Sequence, residues 1–293
     1  MTQQGIGALG IIGGSGLYEI EGLANTRWEA IESPFGAPSD EFLFGELAGR
    51  ELVFLPRHGR GHRLSPGAVN YRANIDAMKR AGVTEILSLS AVGSLRETLA
   101  PGTFVIVDQF VDRTTQREKS FFGAGLVAHV AMAKPVCGRL GRAVEKACKD
   151  AGIHYANGGT YLVMEGPQFS TLAESEFYRS AGFDVIGMTN MPEAKLAREA
   201  EICYASVAMV TDYDCWHPDH DSVTVDAILK VLFANADHAR ELVRCVVPLV
   251  GGEGPCPEGC NRALDHAIVT AEEARDKALV TKLDAIAGRV LKG

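Results

Sequence analysis

Two aspartates stand two residues apart at the end of an apolar run, residues 204–210, as Thr211-Asp212-Tyr213-Asp214. If the run is a strand, side chains two positions apart point to the same side, and both carboxylates can face one ligand. A carboxyl group that burial keeps protonated can act as a general acid, whereas an ionised one only accepts hydrogen bonds. The spacing alone leaves a turn or a divalent-metal site open as alternatives.

A basic stretch follows a second apolar run, residues 52–55, and places Arg57 and His58 side by side. A guanidinium offers a planar fork of donors that suits phosphate, and a neighbouring imidazole adds a directional donor. A solvated basic loop is the alternative. The position of the stretch directly after an apolar run favours an anion site.

A glycine-rich turn, Gly13-Gly14-Ser15-Gly16, follows a third apolar run, residues 8–12. Such turns let backbone N–H groups point at an anion, although a plain structural turn has the same composition. Glu19 stands where a dinucleotide fingerprint needs its third glycine, and no P-loop Lys-Ser/Thr follows. The turn therefore argues against a dehydrogenase.

Apolar runs alternate with helical patterns along the whole chain, which predicts an α/β fold with a largely parallel or mixed central sheet flanked by helices. We expect one domain over residues 1–293, with a C-terminal tail from about residue 251 that ends in a helix over residues 272–291. Further strands are predicted at residues 86–89, 104–107, 161–164 and 185–188, and further helices at residues 69–81 and 225–247. Another helix is predicted from the stripe of Leu140, Val144 and Ala147, with Gly152 after it. Ligands of such sheets bind beyond the carboxyl ends of the strands, where the polar clusters fall.

Composition narrows the function classes. The chain has 293 residues and a formal net charge of −8, so it has no general attraction for nucleic acid or anionic lipid. No stretch approaches the roughly 18 consecutive apolar residues of a membrane span, and we expect a cytoplasmic protein.

The seven cysteines are an odd number, which favours free thiols. Cys256 and Cys260 form the one close pair, at a spacing that allows a disulfide or half a metal site. No second Cys/His pair at a standard zinc spacing accompanies them, so we expect no metal and a free or loop-stabilising pair. The segment His217-Pro218-Asp219-His220-Asp221 is expected to be a solvated loop.

Together these motifs resemble the purine nucleoside phosphorylase superfamily, and within it the 5′-methylthioadenosine phosphorylase family. The resemblance includes the glycine-rich turn, the Arg57-His58 stretch and the Asp212/Asp214 segment. The matching segments follow the family's order and lie at residues 11–17, 34–40, 57–62, 69–75, 93–97, 108–115, 165–170, 192–193 and 211–216. The tail beyond residue 250 matches poorly.

The resemblance implies a role for each matching side chain. Asp212 would protonate the purine N7 and Asp214 would accept from the 6-amino group, while Met188 would pack on the ribose and Phe169 beside the purine. Phosphate would be bound by Ser15, Arg57, His58, Ser90, the Ala91 backbone and Thr189. Ser170, Val223 and Val225 would line the 5′ pocket.

The resemblance also implies a homotrimer in which His129 reaches the site of a neighbouring subunit. The reaction would cleave 5′-methylthioadenosine with inorganic phosphate, without cofactor or metal. It would yield adenine and 5-methylthioribose-1-phosphate, and would belong to purine and methionine salvage. An acceptor at Asp214 favours 6-amino over 6-oxo purines.

Three alternatives remain at this point. The first is a phosphorylase of 6-oxo purine nucleosides such as methylthioinosine, against which the two aspartates argue. The second is a nucleosidase that uses water, which would not need the anion-binding set. The third is a non-catalytic nucleoside sensor, for which no partner domain is evident.

Overall fold

The computed structural model describes residues 7–14, 16–218, 225–252 and 254–292. Two predicted site residues, Ser15 and Val223, lie outside the described residues. Val225 is described only as the first residue of a helix.

Eleven strands in the described part of the chain form one mixed sheet. Its main path runs β2-β3-β4-β1-β5-β10-β9-β7, and β11, β6 and β8 branch from β5. The strands are β1 Ala8–Gly13, β2 Ala24–Glu29, β3 Phe42–Leu47, β4 Arg50–Pro56, β5 Val83–Ser94, β6 Phe104–Val107, β7 Gln109–Asp112, β8 Tyr155–Asn157, β9 Thr160–Val163, β10 Val185–Gly187 and β11 Cys203–Asp212. The predicted mixed α/β sheet is confirmed.

Four neighbouring strands are parallel, because β1 pairs with β4 and β5, and β5 pairs with β11. Their carboxyl ends therefore lie at one edge of the sheet. Strand β10 runs antiparallel to the last residues of β5, with Ile186 opposite Gly93. The chain after β10 consequently returns along β5 toward Ser90.

Helices cover both faces of this sheet. They are α1 Tyr71–Arg80, α2 Gly138–Asp150, α3 Leu172–Ser180, α4 Asn190–Glu199, α5 Val225–Val246, α6 Lys277–Lys282 and α7 Asp284–Leu291. Ile86 of β5 belongs to the core that also contains α1 and α4 residues, whereas Leu87 belongs to the core shared with α2 and α5. Alternation along a strand sends successive side chains to opposite faces, which gives three layers. No helix in the described part of the chain is long and apolar enough to cross a membrane.

Two expectations about the elements need correction. The hairpin of β2 and β3 was not predicted, because β2 is largely exposed and lacks an apolar run. The single helix over residues 272–291 is wrong: a short 3₁₀ turn, Glu272–Ala274, precedes α6 and α7, which are separated at Leu283. Asp276 starts α6 by accepting the N–H of Leu279, and Leu283 turns its side chain into the core.

Candidate active site

Asp212 is the last residue of β11 and lies at the carboxyl edge of the sheet. Its Oδ1 accepts the N–H of Asp214 at 2.8 Å, and its Oδ2 accepts the hydroxyl of Thr211 at 2.7 Å. Gly93 makes room for the pair, since a Cβ there would lie 2.9 Å from Asp212 Oδ1. Asp214 lies beyond the strand with a φ of 54°, so its direction is set by a turn and not by strand alternation.

Both carboxyl groups have raised pKa values. Burial is the main reason that the pKa of Asp212 is raised. Hydrogen bonds from the Thr211 hydroxyl and the Asp214 N–H lower this pKa, and the negative charge of Asp214 raises it further. Burial also raises the pKa of Asp214 against the opposing effect of nearby serine hydroxyls. Asp214 Oδ2 is buried and has no hydrogen-bond partner among the described residues. A buried acceptor of this kind is stabilised when a ligand donates to it.

Ser170 was expected in the 5′ pocket, but the structure places it beside Asp214, whose pKa it lowers. Its carbonyl also accepts the Cys215 thiol at 3.4 Å. Phe169, next in the chain, is 47% exposed. These contacts support a position for Ser170 at the same end of the site as the two aspartates.

Arg57 follows β4 and is almost completely buried, at 2% exposure. Its fork does not face open space as the sequence suggested, because Nε and Nη2 donate to Glu193 at 2.9 and 3.1 Å. Nη1 donates to the carbonyl of Leu89 at 3.1 Å, which leaves one Nη1 hydrogen without a partner among the described residues. Burial lowers the pKa of Arg57, but the negative charge and hydrogen bonds of Glu193 outweigh burial, so the pKa is raised overall.

His58 is held as a neutral imidazole. Its Nδ1 lies 2.9 Å from the carbonyl of Leu64, which can only accept, so Nδ1 carries the hydrogen. Burial, followed by the charge of Arg57, lowers the pKa of His58 to about 4. Nε2 of the resting protein is therefore an acceptor, contrary to the expected donor.

Three hydroxyl groups meet where β5 passes the end of β10. Tyr161 Oη lies 3.5 Å from Thr189 Oγ1 and also interacts with Ser90. Apart from this interaction with Tyr161, Ser90 Oγ is buried without a hydrogen-bond partner among the described residues. Ala91, the next residue, is opposite Met209 in the ladder of β5 and β11. These hydroxyl groups can therefore form further hydrogen bonds with a ligand. They lie close to Arg57, which donates to the carbonyl of Leu89.

Arg117 organises the loops beside the site, and the sequence analysis missed it. Its Nη1 donates to the carbonyls of Met188 and Met191, both at 2.7 Å, and its Nη2 donates to the carbonyl of Glu165 at 2.7 Å. The Met188 side chain lies against Gly166, where a Cβ would come within 2.5 Å of its Sδ. Arg117 therefore fixes the two segments that position Met188, and no local sequence pattern signals such a contact.

Comparisons with known proteins match this architecture. Residues 8–248 fit the sequence profile of the Phosphorylase superfamily. The chain belongs to the Phosphorylase superfamily. It is 64% identical, over 97% of both chains, to the S-methyl-5′-thioadenosine phosphorylase of Rhodospirillum rubrum.

Solved structures of the superfamily agree with this assignment. A methylthioadenosine phosphorylase from an Antarctic soil metagenomic library superposes with a TM-score of 0.90 at 49% identity, covering 95% of this chain and 98% of the other. The methylthioadenosine phosphorylase of Schistosoma mansoni in complex with adenine gives 0.81 at 37% identity, covering 88% and 96%.

His129 of this phosphorylase-superfamily chain lies on the surface. Its N–H donates to the carbonyl of Ala267 at 2.8 Å, and the neighbouring Val127 accepts the N–H of Val269. The tail thus fixes the segment that carries His129. The exposed side chains of Val127 and Val269 make the same surface apolar.

His217 corrects the expectation of a solvated loop. Its ring stacks on Tyr213 at 4.7 Å, and its Nε2 lies 3.0 Å from Glu97 Oε1. The remainder of that predicted loop, residues 219–221, lies outside the described residues.

Proposed function

We propose that this protein is a pentosyltransferase that cleaves 5′-methylthioadenosine with inorganic phosphate, releasing adenine and 5-methylthioribose-1-phosphate. The observation that carries the proposal is the pair of buried carboxyl groups with raised pKa values at the end of β11. The name shared by the similar bacterial and structural relatives supports the same reaction.

Asp212 is the proposed general acid. As the bond between C1′ and N9 breaks, the purine takes the bonding electrons, and a proton from the Asp212 carboxyl group to N7 neutralises the developing charge. A raised pKa makes the protonated form of Asp212 more abundant at a given pH than it would be for an exposed aspartate. General acid catalysis of this kind contributes about 10²–10⁴ in rate.

Asp214 is the residue that we propose to determine which purine base is bound. Its buried, unpartnered Oδ2 can accept a hydrogen from the exocyclic 6-amino group. A 6-oxo purine presents lone pairs to the same oxygen and leaves it unsatisfied. This favours adenine-type bases over the methylthioinosine alternative.

Phosphate is the proposed nucleophile, with an oxygen attacking C1′ as the purine departs. The remaining Nη1 hydrogen of Arg57, the Ser90 hydroxyl and Thr189 would donate to it, with the Ala91 backbone and Ser15 as further contacts. Neutral His58 would accept a hydrogen from the protonated oxygen of hydrogen phosphate. A positioned anion is at once nucleophile and electrostatic stabiliser of the cationic sugar.

The remaining contacts are proposed on the resemblance. Met188 would pack on the ribose and Phe169 beside the purine, and Val223 and Val225 would face the 5′ methylthio group. Phosphate is a co-substrate, and we propose no cofactor for the reaction. A cytoplasmic enzyme of purine and methionine salvage is the setting that fits these substrates.

We also propose a homotrimer in which His129 completes the 5′ pocket of a neighbour. The exposed apolar side chains near His129, and separately those of Phe169, Leu172 and Phe177, are surface that a subunit interface would cover. Multi-angle light scattering on the purified full chain measures the subunit number directly.

The deciding experiment follows adenine release from 5′-methylthioadenosine with and without inorganic phosphate, and identifies the sugar product by mass. We expect release only with phosphate, together with a sugar phosphate. Equal release without phosphate would establish a nucleosidase and refute the anion site. Release of hypoxanthine from methylthioinosine, with none of adenine, would refute the role of Asp214.

A further inference from the structure

Four cysteines from distant parts of the chain meet at the amino end of β11, the end opposite Asp212. Their Sγ atoms all lie within 4.8 Å of one another. They are Cys137, Cys203, Cys256 and Cys260. Cys137, Cys203 and Cys260 are buried and Cys256 is half-buried, which leaves a route for a solute to enter.

We propose that these four thiols bind one Zn²⁺ ion in a tetrahedral structural site. Zinc–thiolate bonds are about 2.3 Å long, so neighbouring sulfurs of a tetrahedral site lie roughly 3.8 Å apart. Cys137 Sγ and Cys256 Sγ are 3.7 Å apart. The four side chains therefore already approach the geometry of a single-ion site.

Two features that carry positive charge lie beside these ligands. Cys137 is the N-cap residue of α2, a 13-residue helix whose N-terminal end carries partial positive charge. Arg139, which also pairs with Glu85, brings its guanidinium beside the cluster, with Nη2 3.7 Å from Cys203 Sγ. Binding would replace four S–H protons by one Zn²⁺, releasing four protons and leaving a site of net charge −2 beside Arg139.

The placement of the ligands indicates a structural role. Cys137 starts α2, Cys203 starts β11, and Cys256 and Cys260 belong to the tail loop. Gly259, with a φ of 72°, turns the chain between the two tail ligands, and Cys256 N–H is fixed by Asn261 Oδ1 at 3.1 Å. Four protein ligands leave no open position for a substrate, so the ion would connect the tail to the sheet.

The test is metal analysis of the full chain, purified under reducing conditions without added chelator. We expect one zinc per chain in the wild-type protein and loss of that zinc in Cys256→Ser. The control is Cys245→Ser, which removes a half-buried thiol outside the cluster and should retain the metal. Metal-free wild-type protein, or equal loss of zinc in both variants, would overturn the proposal, and so would iron in place of zinc.

A second measurement does not depend on how the variants fold. Stripped wild-type protein is titrated with Co²⁺, and we expect the visible absorption bands of tetrahedral cobalt with sulfur-to-metal charge transfer. Addition of Zn²⁺ should bleach these bands at equal stoichiometry. If cobalt gives no such bands while mass analysis finds four free thiols or two disulfides, the cluster is not a metal site.

Discussion

At the scale of single residues, our proposal makes the protonation of Asp212 decisive for turnover. We expect Asp212→Asn to lower kcat by about 10²–10⁴, because the amide cannot protonate N7. The wild-type enzyme should also lose kcat as pH rises through the raised pKa of Asp212, and the variant should lack this descending limb. Steady-state kinetics over a pH series measure both effects.

Asp150→Asn is a matched control, since this half-exposed carboxylate only pairs with Lys146 on the surface of α2. Its kcat and pH profile should equal those of the wild-type protein. Phosphate affinity of Asp212→Asn, measured by calorimetry, should remain close to wild type. A wild-type kcat in Asp212→Asn would contradict the acid role.

Asp214 determines selectivity in our proposal, and its test is a ratio of substrates. Asp214→Asn replaces an acceptor-only group by one that can also donate to a 6-oxo purine. We expect the preference for methylthioadenosine over methylthioinosine, as a ratio of kcat/KM, to fall about 5- to 30-fold, the effect of one or two kcal/mol of unsatisfied hydrogen bonding. An unchanged ratio would show that Asp214 does not read the base.

At the scale of elements, the pattern of apolar residues predicted most of the strands and helices that are buried on at least one side, although it missed the buried strand β3. The capping box of Thr171 and Glu174 that begins α3 can be read from four consecutive residues. Elements without such local signals were missed: β2 is mostly exposed, and the division at Leu283 depends on packing against the core. Arg117 was missed for a related reason, since its partners come from loops about 50 and 70 residues away.

Arg117 provides a test of how these loops position Met188. Arg117→Lys keeps the charge but loses the planar fork that joins three carbonyl groups. We expect KM for the nucleoside to rise about 10- to 100-fold, from the loss of one or two charged hydrogen bonds, with a smaller change in kcat. Arg142→Lys, on the exposed face of α2, serves as control, and an unchanged KM in Arg117→Lys would remove the positioning role.

Glu199, at the end of α4, makes stability depend on pH. Burial raises its pKa to about 7, although it accepts the Phe121 N–H and the Ser120 hydroxyl, both at 2.7 Å. The folded state therefore holds a proton that the unfolded state releases near pH 4.5, and the stability that this proton gives is lost as pH rises through about 7.

Glu199→Gln should remove this dependence. Between pH 5 and 8 the wild-type free energy of unfolding should fall by about 2 kcal/mol relative to the variant, measured by urea denaturation. Glu118→Gln, a change at an exposed carboxylate, should show no relative change. If the free energies of unfolding of Glu199→Gln and the wild type differ by the same amount at both pH values, the Glu199 carboxylate is charged over the whole range and the prediction is wrong.

At the scale of the whole molecule, the sequence predicted which strand ends would converge. It did not predict which hydrogen bonds and ion pairs the converging side chains form with one another. Arg57 was expected to present its fork to an anion, yet Glu193 of α4 occupies most of it. The four-cysteine cluster was missed because Cys137 and Cys203 come from separate elements, and pair spacing detects only Cys256 and Cys260. Contacts between residues from separate elements leave no periodic pattern in the sequence, so they cannot be predicted from it in this way.

Subunit assembly is the remaining property of the whole molecule, and mixed oligomers test it. In a cyclic trimer each site would combine Asp212 of one subunit with His129 of its neighbour. We expect His129→Ala alone to raise KM for methylthioadenosine, and Asp212→Asn alone to lower kcat by about 10²–10⁴.

When the two variants are unfolded together at equal amounts and refolded, about one interface in four should pair an intact Asp212 with an intact His129. A kinetic component with wild-type KM should therefore appear that neither parent shows. Refolding each variant separately before mixing is the control, and it should give no such component. If co-refolded protein behaves as the sum of its parents while light scattering shows a trimer, His129 does not act across the interface.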